Sequence, residues 1–145
     1  MNLVKIPACV EIQNLRGITL MTQDQVRGEN GEVRDVVVPL TLGHAIINAL
    51  LGDYPDEKNV TSVEKARRYA TAMKIQNVMD EGGPEHLATL NPKEVAEIKR
   101  LCGKNYTTVV VGAIWKYVDA QGFDKLDLSA DTKPSVDETS SEEKE

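Results

Sequence analysis

The spacing of apolar and polar positions changes once along this chain, near residue 40. Before that point Val4, Ile6 and Val10 stand at even spacing, and Gln23–Arg27 and Glu32–Val38 flank Gly28-Glu29-Asn30-Gly31. Alternation with a period of two marks a strand, and an Asn-Gly pair suits a turn that needs positive φ, so this region predicts a β-hairpin. Pro39 has no N–H to give to a ladder and is expected to end the second strand.

From Thr41 the apolar residues follow the three-four spacing of a helix. Thr41 is placed to cap a helix whose inward positions are Leu42, Ala45, Ile46, Ala49 and Leu50, with Gly52 at its left-handed C-terminal cap. A polar loop, Asp53–Val60, leads to Thr61 and Glu64, the T-x-x-E pattern of a capping box. The second helix runs from there to about Glu81, where Gly82-Gly83-Pro84 stops it; Ala66, Tyr69, Ala70, Met73 and Val78 are its expected inward face. Asn91-Pro92-Lys93-Glu94 opens a third helix with a capping Asn, a first-turn proline and a Glu three residues after the cap. Its stripe is Val95, Ile98, Leu101 and Cys102, and Gly103 is its expected end. Thr107–Ala120 is ambiguous: Thr107–Val111 is β-branched and strand-like, while Val110, Ala113, Ile114, Tyr117 and Val118 keep a helical spacing. Its length and Gly122 favour a helix.

The expected fold is α+β, an N-terminal β-hairpin or small antiparallel sheet followed by a compact bundle of about four short helices. Its 145 residues suit one globular domain over 1–122, β-rich over 1–40 and helical over 41–122. Charge changes this picture at the C-terminus. Phe123–Glu145 holds eight acidic residues against three basic ones, and apolar residues almost vanish after Leu128, so 123–145 is expected to be an acidic, largely disordered tail. The remaining body carries 15 acidic and 14 basic residues. A nearly neutral body lacks the Lys and Arg surplus that binds a phosphate backbone, so nucleic acid is not an expected partner. No run approaches the roughly 18 apolar residues of a membrane span. Met1–Val10 lacks the pattern of a secretory signal, so Cys9 and Cys102 are expected to be buried thiols in a reducing compartment.

Residues able to carry chemistry each have a structural explanation. Gly103-Lys104-Asn105 lacks the earlier glycine and following hydroxyl of a phosphate loop. His44, His86, Cys9 and Cys102 share none of the short spacings that present paired metal ligands. Cys102 sits on an apolar stripe, where a thiol is a small hydrophobe; Asp53, Asp56 and Glu57 are expected to form a solvated loop. A helix-turn-helix over Asn91–Ala120 would offer Thr107-Thr108-Val109-Val110-Val111 to DNA, with no long polar side chain to reach a base. Lys65, Arg67, Arg68 and Lys74 read as the solvated face of the second helix, with Glu64 and Arg68 an i,i+4 pair. The expectation is therefore a non-enzyme with no catalytic, cofactor-binding or metal-binding residues.

The run Pro39-Leu40-Thr41-Leu42 through Ala49-Leu50-Leu51, then Asp56-Glu57-Lys58-Asn59, Glu64–Tyr69, Ala96-Glu97-Ile98-Lys99, Gly103-Lys104 and Val110-Val111-Gly112 resembles small accessory proteins of tailed bacteriophages, over roughly Gly31–Val118. Caps and apolar stripes make up most of the likeness, which bears on fold more than on activity. The resemblance implies the cytoplasm of an infected bacterium, or the virion, as the setting. It implies protein–protein contact in virion assembly, as an assembly chaperone or minor virion component, with another copy of the chain a further possible partner. The alternative is a phage-encoded regulator or inhibitor of a host polymerase, nuclease or defence complex.

Overall fold

Helix α1, Leu42–Leu51, is the element around which the rest of the chain packs. The structure, a computed structural model, describes residues 3–83 and 85–126. Strands β1 (Val4–Ile6), β2 (Met21–Arg27) and β3 (Val33–Pro39) precede α1. Helix α2 (Ser62–Glu81), strand β4 (Ala88–Leu90) and helices α3 (Pro92–Asn105), α4 (Thr108–Val118) and α5 (Ala120–Asp124) follow it. This is the expected α+β fold. The acidic tail lies, from residue 127 on, outside the described residues.

All five predicted inward residues of α1 are buried, against α2, α3 and α4. A helix begins with N–H groups that have no partner in the helix, and here the loop before β2 supplies partners. Leu42 N–H donates to the Val10 carbonyl and Gly43 N–H to that of Ala8, both at 2.8 Å, while His44 N–H donates to Thr41 Oγ1 at 3.1 Å. This close crossing explains Gly43, since a Cβ there would lie 2.9 Å from the Ala8 carbonyl oxygen. The other end differs from expectation: Gly52 has φ −66° and is extended rather than left-handed. Tyr54 does the capping instead, folding back so that its hydroxyl donates to the Ala49 carbonyl at 2.6 Å. A side chain at Gly52 would occupy the path of that tyrosine.

Both predicted capping boxes form, Thr61 with Glu64 and Asn91 with Glu94. On α3, Val95, Ile98, Leu101 and Cys102 are buried as predicted, but Gly103 does not end the helix. The helix runs on to Asn105, and Tyr106, whose hydroxyl accepts from Asn48 Nδ2 at 3.2 Å, draws the chain back against α1. The region left open between strand and helix is helical, burying Val110, Ile114 and Val118. It breaks at Asp119, one turn short of the glycine expected to end it. The Asp119 carboxylate accepts from Lys99 Nζ at 2.6 Å and from the Gly122 N–H at 3.0 Å, which starts α5 as a separate turn.

Two two-stranded antiparallel sheets form among the described residues. One is the predicted hairpin, β2 with β3, in register from Met21↔Pro39 to Arg27↔Val33, turning through Gly31 at φ +84°. The other joins β1 to β4, pairing Val4 with Leu90 and Ile6 with Ala88, and closes one side of the core. No helix is long and apolar enough to cross a membrane among the described residues.

Candidate functional site

The clearest correction to the sequence reading concerns α2. Ala66, Tyr69, Ala70 and Met73 point outward, with Tyr69 59% and Met73 47% exposed; only Val78 of the expected face is partly covered. The inward face is Arg68, Thr71, Ala72 and Ile75. Two of these four are polar, and their polar atoms are satisfied. Arg68 binds Glu57 through both terminal nitrogens, at 2.9 and 3.0 Å, and its Nε donates to Glu97 at 2.6 Å. Thr71 Oγ1 donates to Glu94 Oε2 at 3.1 Å, and Lys74 Nζ reaches the Glu94 carboxylate at 2.8 Å and the Thr89 carbonyl at 3.0 Å. Arg68 is therefore no part of a solvated face, and Glu64 is turned to its capping box rather than to Arg68.

Of the acidic loop expected to be solvated, Asp53 and Asp56 are exposed, but Glu57 is turned inward and forms the other half of this arrangement. The Glu57 side chain is 10% exposed and holds Arg68 and Arg100 at once, while Lys104 binds Asp56 at 2.7 Å. The Arg68 guanidinium, helped by Arg100, holds the Glu57 carboxyl down at about 2 against the upward push of burial. Burial pushes Glu97 upward, but hydrogen bonds from Arg68 and Arg100 outweigh it and leave it below the usual carboxylate range. These charges clamp the loop 53–60 onto α2 and α3. Each of these hydrogen bonds ties the loop to a helix, which gives the cluster a structural role.

Cys102 is not poised for the chemistry of a reactive thiol. Burial pushes the Cys102 thiol up to about 11, which keeps it protonated in the core. Cys9 is only half-buried, contrary to expectation, and sits 4.0 Å from the Met79 carbonyl oxygen. His86 lies beside Glu81 and Glu85, at 3.2 and 3.5 Å, and His44 on the first turn of α1. Among the described residues no three His, Cys, Asp or Glu side chains are grouped to hold a metal ion. An open groove of about 390 Å³ runs between α2 and α3, and one of about 650 Å³ lies beside β1, α3 and Tyr117. Lys99 roofs part of the latter region, 4.0 Å above the Trp115 ring.

What remains is the β2–β3 hairpin, and its geometry is unlike the rest of the molecule. Its root is built into the core: Ile12 N–H donates to the Leu40 carbonyl, Leu40 N–H to that of Leu20 and Leu20 N–H to that of Ile12, all within 2.9 Å. Ile12 and Leu40 are buried. Beyond this root the seven-residue ladder, ~24 Å long at 3.4 Å per residue, packs substantially against no other named element. One face carries Met21, Val33 and Val37, all exposed; the opposite face carries Val26, exposed near the turn, and Val36 and Val38, partly covered toward the root. Its outer edges have no strand beside them among the described residues. A two-stranded hairpin with neither face covered is at best marginally stable in water. Exposed strand edges are also the part of a sheet best suited to receive another chain.

Sequence reading identified this hairpin but not its projection from the body. A signal was available: Gln23, Asp24 and Gln25 put polar residues on both faces of β2, as a strand with no buried face allows. Compared with protein-family models, curated proteins and solved structures, the chain matches none.

Proposed function

We propose that the chain is a non-enzymatic accessory protein of a tailed bacteriophage that acts by stoichiometric protein contact in virion assembly, with the β2–β3 arm as its docking element. The observation that carries this reading is the arm itself, a ladder rooted through Ile12, Leu20 and Leu40 with apolar residues exposed along it. The polar groups of the helical body are largely engaged in capping and clamping, whereas Met21, Val33 and Val37 await cover. A partner strand added along an arm edge would satisfy its N–H and C=O groups, and a partner surface over the valines would remove apolar area from water. The infected cell's cytoplasm, or the virion, is the setting that goes with this role.

The test is a co-purification from infected cells with the tagged full chain and with a variant in which residues 23–37 are replaced by a short Gly-Ser turn. The full chain is expected to recover a phage morphogenetic protein at a fixed ratio. The variant is expected to melt close to the parent, because the arm contributes little to the core, and to lose that protein. Equal recovery by both chains would remove the arm from the account. Recovery of a host polymerase, nuclease or defence complex would move the function to regulation of the host.

A further inference from the structure

We propose that the arm receives its partner along the outer edge of β3, as an antiparallel strand of a different protein whose side chains complement Arg34 and Asp35. The inference rests on the docking role of the arm and assigns the edge and the chemistry of what binds there.

The hydrogen bonds at the two ends of the hairpin fix which way each residue of β3 turns. Gly28 N–H donates to the Glu32 carbonyl and Leu40 N–H to the Leu20 carbonyl, both at 2.8 Å. Both pairs continue the register that runs unbroken from Met21↔Pro39 to Arg27↔Val33. In an antiparallel ladder, hydrogen-bonded pairs alternate with pairs whose N–H and C=O groups turn away from each other. Arg34, Val36 and Val38 therefore bond to β2, while Val33, Asp35 and Val37 hold their N–H and C=O groups outward. No backbone group outside the ladder meets these outward groups among the described residues. A row of donors and acceptors at alternate residues is matched by another extended strand.

Side chains choose between the two edges. A strand beside β3 lies along Val33 and Val37 on one face and Val36 and Val38 on the other, whereas a strand beside β2 lies along Thr22, Gln23, Asp24 and Gln25. Rows of β-branched side chains pack well across strands, so β3 is the edge that gains apolar cover.

Charge then selects against a second copy. Two β3 strands related by a two-fold axis normal to the sheet set Asp35 against Asp35 in the register centred there. Centred one residue earlier, they set Arg34 against Arg34, and like charges directly opposite are destabilising. Registers shifted toward the root bring in Pro39, which has no N–H to give. Neither Arg34 nor Asp35 has an ion-pair partner in the chain among the described residues. A foreign strand with a carboxylate opposite Arg34, a cation opposite Asp35 and β-branched residues opposite Val33, Val36 and Val37 meets all of these features.

Fluorescence anisotropy of the full chain with a labelled synthetic peptide tests this. The peptide Ser-Thr-Val-Val-Lys-Glu-Val-Ser, laid antiparallel to β3, sets its lysine opposite Asp35 and its glutamate opposite Arg34; a second peptide has those two exchanged. The first is expected to bind saturably below millimolar concentration and about fivefold more tightly than the second. Arg34→Glu with Asp35→Lys should reverse that preference. Asp35→Pro removes one outward N–H and sets its ring on the edge while sparing the bonds to β2, and should abolish binding. Gln25→Pro, the paired position on the β2 edge, should leave binding intact. No binding up to millimolar concentration, equal affinity for the two peptides, or the same loss from Gln25→Pro as from Asp35→Pro would each overturn the assignment. Failure of the arm's docking role itself would show separately, as full recovery of the phage protein by the chain in which residues 23–37 are replaced.

Discussion

Arg68→Ala is expected to destabilise the protein by about 3 kcal/mol, read from the urea or thermal unfolding midpoint. Removing one member of a buried ion pair strands the other, and that typically costs about 3–5 kcal/mol. Here the Arg68 and Glu57 side chains are 7% and 10% exposed, so Glu57 would be left largely out of water. Arg100, 2.6 Å from Glu57, survives the substitution and places the effect at the lower end. Arg100→Ala makes the comparison: its side chain is 45% exposed, and the loss should be about 1 kcal/mol or less. Against a total stability of about 5–15 kcal/mol for a domain, the Arg68 loss is a large fraction. An Arg68→Ala protein as stable as the parent would mean that the loop 53–60 is not clamped as described.

Acid should unfold the protein through the same cluster. Glu57 has its carboxyl lowered from 4.5 to about 2, chiefly by the Arg68 hydrogen bonds. A carboxylate whose folded-state pKa is depressed gives stability that is fully present above its unfolded value and is lost as the pH falls toward its folded value. The window is therefore about pH 5 down to about pH 2, and a depression of this size corresponds to about 3 kcal/mol. Glu94 and Glu97 are lowered as well and act in the same direction. Unfolding midpoints measured across this window should fall steeply for the parent. Glu57→Gln should start lower at neutral pH and fall less. Parallel pH profiles for the two proteins would show that Glu57 is not the group responsible.

The inward faces of α1 and α3 were legible in the sequence, and that of α2 was not. On α1 and α3 every residue of the predicted stripe is buried, and the T-x-x-E and N-P-x-E patterns mark starts that the capping boxes realise. On α2 the run Ala66, Tyr69, Ala70, Met73 obeys the same spacing, yet it faces water. Periodicity finds an apolar face but cannot say which way it points when Arg68 and Thr71, neutralised by distant Glu57, Glu97 and Glu94, occupy the other. Those partners lie 11 to 29 residues away, beyond any local pattern. Strand β4 is three residues long, too short to show a period, and only its pairing with β1 defines it. At Gly52 and Gly103 composition alone suggested helix ends, whereas Tyr54 and Tyr106 direct the chain there. The Asn-Gly signal located the hairpin, and its polar composition on both faces held the further information that the ladder stands clear of the core.

Hydrogen exchange along the backbone, on the chain alone and bound to its co-purified partner, tests the docking role of the arm most directly. Alone, the amides of Gln23–Val37 should exchange fast, because no other element covers the ladder, while those of α1 and α3 exchange slowly. In the complex the arm amides should become strongly protected, with α1 and α3 little changed. A stable complex in which the arm still exchanges as it does in the free chain, with new protection confined to the helical body, would contradict the account.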